Sequence, residues 1–453
     1  KRAHPLLARR QLYMCRRDRL KIKQEPSVEP GSYSGWNAWA CQKMSRKEKE
    51  EFKDGRGGHP LKDVPDWNDV KKEVTERFQK ALPHKSLPDP TQTIKVIGSE
   101  IKPTDFTGLV LPADVHFAGA QFAAVSFIGA IFNRNVEFTA ATFKEACSFT
   151  DATFAAGASF GGTIFQKRAN FSGCSFTGTS QEREVNFANT EFFGPAEFDE
   201  AVFSESDSTV YFNQSLFREV VSFKGAKFRR NVWFKSAQFN ERSQFSEAVF
   251  AKEIAFTDAV FNAPSNFRDA KFETRFPNLE GTLLHNNTNL TTEEKFWPEV
   301  NDKQDIKSAV HASACLRHNM ASQGLSEAAH FFFRKEMQHK AKLAKRWERP
   351  IYIAYSMSDY GFGVWQPAIA LISLIFLGGV ALKASNCMHW GTAAGLSFSN
   401  VFRFFGFQRA FFEADVFKSL EPWLKIGMGL QSVLGFLFLF FLGLGLRNRF
   451  RLK

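Results

Sequence analysis

A pair of phenylalanines five residues apart recurs through the middle of this chain and constrains its fold more than any other feature. From Phe117 to Phe272 there are 14 such pairs, and successive pairs usually begin 11 residues apart. The composition reflects the repeat, since the 453 residues include 52 Phe but only 6 Tyr. Spacings of five and six match neither the 3.6-residue period of a helix nor the two-residue period of a strand. The pattern indicates a chain that turns a corner every five or six residues.

Small residues occupy a second fixed position of this repeat. The third residue after the first Phe of each pair is Ala, Ser, Thr or Cys throughout, as at Ala141 and Ala226. One small residue and one Phe per side therefore point inward, and the polar residues between them point outward. Four sides make a coil of about 22 residues, so the pairs predict about seven stacked coils. We expect the structural core to contain the repeat phenylalanines, among them Phe138, Phe143, Phe149, Phe154, Phe223, Phe228, Phe234, Phe239, Phe245 and Phe250.

The unit formed by a small residue, any residue and Phe resembles the repeat of the pentapeptide repeat proteins. It occurs at 141–143, 226–228 and 248–250. The resemblance covers residues 97–280 and implies a mainly β fold, a right-handed four-sided β-helix. This chain departs from the family pattern by one extra residue on alternate sides and by its almost exclusive use of Phe.

Two insertions interrupt the repeat, at residues 177–184 and 204–209. They are two 11-residue units apart. If a coil consists of two units, both insertions leave the same edge of the β-helix in adjacent coils. Two interpretations remain open, neutral variation at tolerant surface turns and one protruding contact surface.

The C-terminal part is predicted to be a membrane hairpin. Tyr360–Leu382 and Ile426–Leu446 contain no charged residue, and each is long enough to cross a bilayer as a helix. Basic residues precede the first span and follow the second, as at Arg346, Arg349 and Arg447. The positive-inside rule then places both basic ends on the inner side and the loop 383–425 outside. We expect a bacterial inner membrane with the β-helix and both termini in the cytoplasm, or else an organelle inner membrane with these parts in the matrix.

The loop between the spans contains a Gly-aromatic pair, Gly406-Phe407, after a short amphipathic segment. This layout is similar to the pore module of two-span cation channels, where filter carbonyls replace the hydration shell of the ion. Phe404, Phe405 and Gln408 depart from the filter pattern, so we expect no potassium-selective filter and expect these two phenylalanines to face lipid or partner helices. The whole layout also resembles bacterial membrane-bound pentapeptide repeat proteins, a likeness that implies no particular activity.

The remaining segments complete a four-part organisation. Residues 1–96 are predicted to form a basic N-terminal tail with a capping helix near 69–78, and residues 281–350 a helical linker with helices at 303–322 and 325–349. The transmembrane hairpin with its re-entrant-like loop occupies 351–453. The charge is uneven, at +8 for 1–112, −3 for 113–276 and +7 for 277–453.

No constellation of residues indicates catalysis, a cofactor or a metal site. Glu327 and His330, like Glu336 and His339, have the spacing of di-iron ligands, but the two pairs face opposite sides of one helix. The weak net charge of the repeat argues against a DNA mimic, and we expect no nucleic acid partner. Six cysteines without a CxxC motif predict free thiols in a reducing compartment.

These observations predict a non-enzymatic, membrane-anchored scaffold in contact with the lipid bilayer. Its expected partners are other membrane-protein subunits of a larger complex, and oligomerisation is compatible with the sequence. The alternative is a degenerate two-span channel-like protein with a cytoplasmic pentapeptide-repeat domain.

Overall fold

The structure is a computed structural model that describes residues 34–44, 64, 66–81, 89–178, 184–386, 389–403, 406–407 and 421–451. It divides into two compact units, one ending at Phe332 and the other beginning at Phe333. The basic tail at 1–23 and most of the second half of the inter-span loop lie outside the described residues.

The first unit is built from two-residue strands, four to a coil. The first four coils contain β1 (Ile94–Lys95), β2 (Glu100–Ile101), β3 (Thr104–Asp105), β4 (Val110–Leu111), β5 (Val115–His116), β6 (Gln121–Phe122), β7 (Val125–Ser126), β8 (Ile131–Phe132), β9 (Val136–Glu137), β10 (Thr142–Phe143), β11 (Cys147–Ser148), β12 (Thr153–Phe154), β13 (Ala158–Ser159), β14 (Ile164–Phe165), β15 (Ala169–Asn170) and β16 (Ser175–Phe176). The next four contain β17 (Val185–Asn186), β18 (Glu191–Phe192), β19 (Ala196–Glu197), β20 (Val202–Phe203), β21 (Val210–Tyr211), β22 (Leu216–Phe217), β23 (Val221–Ser222), β24 (Lys227–Phe228), β25 (Val232–Trp233), β26 (Gln238–Phe239), β27 (Ser243–Gln244), β28 (Val249–Phe250), β29 (Ile254–Ala255), β30 (Val260–Phe261), β31 (Ser265–Phe267) and β32 (Lys271–Phe272). A last strand, β33 (Asn289–Leu290), follows.

Every fourth strand pairs in parallel, which gives a four-sided solenoid. Sheet A begins β1-β5-β9, sheet B β2-β6-β10, sheet C β3-β7-β11 and sheet D β4-β8-β12, and the sheets hold eight, eight, nine and eight strands. Stacked positions keep register, so that Phe143 pairs with Phe122 before it and with Phe165 after it. The mainly β, four-sided solenoid predicted from the sequence is therefore confirmed.

The predicted number of about seven coils is too small. The structure has eight complete coils, and Asn278, Leu283 and β33 form three sides of a ninth by pairing with the eighth. The first coil has Ile101 and Leu111 at inward positions where later coils have Phe, since they pair with Phe122 and Phe132. A count of Phe pairs cannot detect coils whose core is aliphatic.

The corners alternate in geometry, which explains the alternation of five and six residues. At the corners that follow sheets A and C, the residue two after Phe has a positive φ, 59° at Gly129 and 62° at Glu247. The N–H of the next, small residue closes the turn, as from Ala141 to the Phe138 carbonyl at 2.8 Å. This is the pattern of a type II turn, and the small residue is required because its side chain lies in the core.

The phenylalanines fill the solenoid as four columns of rings. Each repeat Phe from Phe117 to Phe272 is buried, with at most 5% of its surface exposed. Within a column the rings stack almost in parallel, as Phe149 does on Phe171 at 4.7 Å and 2°. Between columns they meet edge to face, as Phe138 and Phe149 do at 5.7 Å and 82°. Both arrangements are favourable for aromatic quadrupoles, which explains why one ring type recurs in every coil.

The N-terminal end of the solenoid is capped by helix α1 (Ser34–Ala40), against which α2 (Trp67–Ala81) packs. The Asn37 side chain accepts a hydrogen bond from Val110 N at 3.0 Å and donates one to Gly108 O at 3.0 Å. It thereby provides hydrogen-bond partners for backbone groups of the first coil, which has no preceding coil to pair with. The segment predicted to be the cap is helical, but α1, with its buried Trp39, makes these contacts with the first coil.

At the opposite end, Trp297 covers the last coil. Its ring stacks on Phe272 at 5.0 Å and on Phe276 at 5.2 Å, and its Nε1 donates to Thr291 O at 2.9 Å. Helix α3 (Lys303–Ser322) follows, with Asn319 donating to His285 O at 3.2 Å. Gly324, with φ at 72°, separates α3 from α4 (Ser326–Leu343), which ends six residues before the predicted limit.

In the described part of the second unit, four α-helices follow α4. They are α5 (Arg349–Ser356), α6 (Trp365–Asn386), α7 (Trp390–Val401) and α8 (Pro422–Arg451). Trp365–Ala384 and Pro422–Arg449 are long and apolar enough to cross a membrane, with a mean hydropathy of 2.0 each. Only 22% of each apolar window is buried, whereas a core helix of a soluble protein would be mostly covered. The two apolar helices predicted from the sequence are therefore present.

Candidate functional site

Both insertions emerge where the chain passes from sheet D to sheet A of the next coil. Residues 177–184 join β16 to β17, and 204–209 join β20 to β21, so they leave one edge in adjacent coils as predicted. Residues 179–183 lie outside the described part of the chain. We call the described residues 177–178, 204–209, 229–231 and 251–253 the insertion edge.

A buried arginine ties three successive corners of the insertion edge together. Arg230 has no exposed surface, and its guanidinium donates to Gly178 O at 2.9 Å, Ser204 O at 2.7 Å and Ser208 Oγ at 3.0 Å. A further contact reaches Phe176 O at 3.3 Å. Burial lowers the pKa of Arg230 to about 10, which still leaves it charged at neutral pH.

The next two corners extend this network. Lys252 Nζ donates to Ser206 O at 3.2 Å and lies 3.8 Å from Asp207 Oδ1. Arg275 pairs with Glu253 at 2.8 Å and with Asp305 of α3 at 3.2 Å. Positively and negatively charged side chains therefore link five successive corners along one edge. Asp207 projects from this edge, with 82% of its side chain exposed.

Sequence reasoning did not identify Arg230. The usable signal is the adjacent pair Arg229-Arg230, which occupies the D-to-A corner directly after the second insertion. The structure separates their roles, because Arg229 is exposed and Arg230 is buried. Only a structure shows that one corner reaches back over two coils.

Hydroxyl groups at the small position of the repeat have a structural role rather than a chemical one. Thr163, Thr190 and Ser215 each donate to a Phe carbonyl of the preceding coil at 2.8 Å. Cys174 Sγ makes the equivalent bond to Phe149 O at 2.9 Å. Burial raises the pKa of the Cys174 thiol well above its usual range, which opposes thiolate chemistry there.

The helices of the second unit are joined by a polar cluster that the sequence did not predict. Ser397 of α7 donates to Ile375 O of α6 at 2.7 Å, and Gln431 of α8 donates to Ser397 Oγ at 2.6 Å. Asn400 donates to Gln431 Oε1 at 3.0 Å and to Met428 O at 2.8 Å. Away from water, satisfied polar groups of this kind hold helices together.

Close packing around this cluster depends on glycine. A Cβ at Gly378 would lie 2.3 Å from Gln431 Nε2 and 2.5 Å from Ser397 Oγ. At Gly435 it would lie 3.2 Å from the backbone of Val401. The short helix α7 is thus held between the two long helices by small residues and hydrogen bonds.

The Gly-aromatic pair of the pore-like loop begins five residues after the end of α7 at Val401. Gly406 has a φ of 78° and donates its N–H to Arg403 O at 3.1 Å. Phe407 is 38% exposed, with its ring 6.3 Å from that of Phe398. Phe404, Phe405 and Gln408 lie outside the described residues, so their predicted orientation remains a prediction.

Titratable residues do not assemble into a metal site in the part of the chain that the structure describes, where no group of three or more His, Cys, Asp or Glu could hold an ion. In α4, Glu336 accepts a hydrogen bond from Lys340 at 2.6 Å. Burial, with the charges of Lys335 and Lys342, lowers the pKa of His339 to about 4.

Comparison with known families matches the repeat alone. The family model described as pentapeptide repeats (9 copies) matches residues 117–164, 138–181 and 212–254. No curated protein and no solved structure shows a significant match. The matched segments all lie within the coils of stacked phenylalanines. The solenoid of this chain is therefore a pentapeptide-repeat domain, followed in sequence by two helices able to span a membrane.

Proposed function

We propose that this protein is a non-enzymatic, membrane-anchored scaffold whose insertion edge binds another membrane-protein subunit. A rigid solenoid with a continuous aromatic core presents fixed surfaces, and the two apolar helices supply the anchor. Pentapeptide-repeat solenoids are typically non-enzymatic, which agrees with this role.

The buried Arg230 is the observation that carries the proposal. Removing a guanidinium from water costs several kcal/mol unless its donors are well satisfied. Neutral variation in surface loops needs no such group, because exposed turns are solvated by water. An internal cation that binds Gly178 at the start of one insertion and Ser204 and Ser208 in the other instead supports a contact surface of defined shape.

The channel alternative has a narrower basis. It rests on the short helix α7 between two long helices and on the left-handed conformation of Gly406. Gly406 continues a turn closed onto Arg403, whereas a selectivity filter needs an extended strand with successive carbonyls aimed at the ion. The scaffold is therefore the better-supported function.

Replacing Arg230 by Ala should release the insertions. We expect trypsin to cleave after Arg183 roughly tenfold faster in the intact variant, equivalent to about 1.4 kcal/mol of lost restraint. The matched control is Arg229→Ala, which removes the exposed neighbour. Equal cleavage rates in the two variants would show that Arg230 does not order this edge.

Partner binding tests the function. Purified from native membranes in mild detergent, the wild type and Arg242→Ala should retain one stable heteromeric partner that Arg230→Ala loses, because Arg242 is exposed at a B-to-C corner outside the insertion edge. Thermal unfolding of each variant establishes that the solenoid remains folded. A symmetric homotetramer without another subunit would favour the channel alternative instead.

Membrane orientation gives an independent prediction. We infer that the basic residues near Arg349 and Arg447 lie on the inner side, because the positive-inside bias acts within about 20 residues of a span. With the other cysteines replaced, Cys387 should react with an impermeant maleimide on intact cells, whereas Arg449→Cys should not. The reverse labelling pattern would invert the topology.

A further inference from the structure

Large apolar side chains are exposed on and beside α5, outside the two apolar spans. Trp347 is 68% exposed, Ile351 64%, Ile353 63% and Met357 47%. Tyr355 of α5 packs within the unit, where its ring lies 5.5 Å from Tyr360 and 6.3 Å from Phe441 of α8. Ile351 and Ile353 lie about 200° apart around α5, so the helix leaves large apolar side chains uncovered on more than one side.

Basic side chains lie directly beside this apolar surface. Lys345, Arg346 and Arg349 are exposed, and Glu348 is the only acidic residue between 340 and 357. Glu348 also accepts a hydrogen bond from Lys345 N at 3.1 Å. A short helix that combines exposed aromatic and aliphatic groups with lysine and arginine is typical of segments that lie in a membrane interface.

The turn after α5 fixes this surface at one end of the hairpin. Asp359 and Tyr360 have positive φ values of 47° and 52°, a conformation that non-glycine residues rarely adopt. Asn448 of α8 donates to Gly361 O at 2.8 Å, and Ser358 Oγ accepts from Gly361 N at 3.0 Å. The end of α5 therefore lies level with the position where α8 leaves its apolar stretch and Arg447 begins the basic tail.

We propose that residues 345–357 are an interfacial anchor that binds anionic phospholipid headgroups. The inference rests on the proposed insertion of α6 and α8 into a bilayer. A leaflet of anionic lipid offers negative headgroups directly above hydrocarbon, which matches guanidinium and ammonium groups beside Trp347 and Ile351. Because α5 is directly followed in sequence by the first span, it stays at the depth of the headgroups. The lipid itself can therefore cover the exposed apolar residues, without a further binding partner.

The test uses the full chain, without other cysteines, reconstituted in nanodiscs of phosphatidylcholine with or without phosphatidylglycerol. An environment-sensitive fluorophore is attached at Ile351→Cys, and quenching by spin-labelled lipid reports whether that position is inserted. Anionic lipid should raise the ratio of inserted to water-exposed α5. Lys345→Glu, Arg346→Glu and Arg349→Glu together should lower that ratio by roughly 100-fold, since each cation contributes about fivefold. The matched control reverses the charges of Lys95, Lys227 and Arg242 of the solenoid, which are exposed and lie outside the insertion edge, and should leave the ratio unchanged.

A second probe separates this proposal from the proposed membrane insertion. Phe376 of α6 is 66% exposed, so a fluorophore at Phe376→Cys should be quenched by lipid in every sample. Two results would refute the anchor while leaving the two membrane spans supported, provided that Phe376 is in lipid. In one, position 351 stays in water; in the other, it enters the lipid equally well with and without anionic lipid. If Phe376 is not in lipid, the membrane insertion itself fails.

Discussion

Replacing Phe228 by Ala should lower the free energy of unfolding of the solenoid by roughly 3–5 kcal/mol. Phe228 is fully buried, and its ring stacks on Phe203 at 4.6 Å and on Phe250 at 5.3 Å. Truncation removes the transfer free energy of the ring and leaves a cavity between two rings that the coils on either side hold in register. Because each coil contacts only its neighbours, the loss should be concentrated in the coils around β24.

Thermal unfolding in detergent together with hydrogen exchange resolved by coil measures this effect. The matched control is Phe193→Ala, since Phe193 is 40% exposed and contacts Arg218 through a cation–π interaction at 4.4 Å. That variant should lose about 1 kcal/mol or less. If Phe228→Ala were no more destabilising than Phe193→Ala, the stacked columns would not be the source of stability.

Trp297→Ala should have a comparable effect at the C-terminal end of the solenoid, roughly 3–5 kcal/mol. Trp297 covers Phe272 and Phe276 and contacts Phe332 at 5.1 Å, so its removal opens the aromatic columns to water. It also exposes the edge of the last coil, and uncovered strand edges pair with other chains. We expect faster hydrogen exchange over residues 254–290 and concentration-dependent association seen by light scattering.

The control for this variant is Trp347→Ala, since Trp347 is 68% exposed and lies outside the solenoid. It removes the same type of side chain without touching an end coil, so it should alter neither measurement. Unchanged exchange in Trp297→Ala would mean that α3 alone closes the solenoid. If both variants associated, the surface responsible for association would not be the end of the solenoid that Trp297 covers.

The sequence by itself determined the solenoid because its core is a strict repeat. A Phe at every fifth or sixth residue, with a small residue three after the first Phe, leaves few ways to bury the rings except stacked four-sided coils. The same regularity located both insertions on one edge, since an interruption is visible only against a periodic background. Unbroken apolar stretches likewise determined two membrane-length helices, because length and hydropathy are properties of the chain alone.

Contacts between residues distant in sequence were decided only by the tertiary structure. The first and ninth coils use aliphatic residues such as Ile101 and Leu279 where other coils have Phe, so periodicity of Phe could not count them. Asn37 becomes a cap because its amide meets Gly108 and Val110 across more than 70 residues. Arg230 reaches Gly178 over 52 residues, and Ser397, Asn400 and Gln431 meet only when three helices pack. Hydrogen bonds of this kind are directional and long-range, and therefore leave no local pattern in the sequence that could predict them.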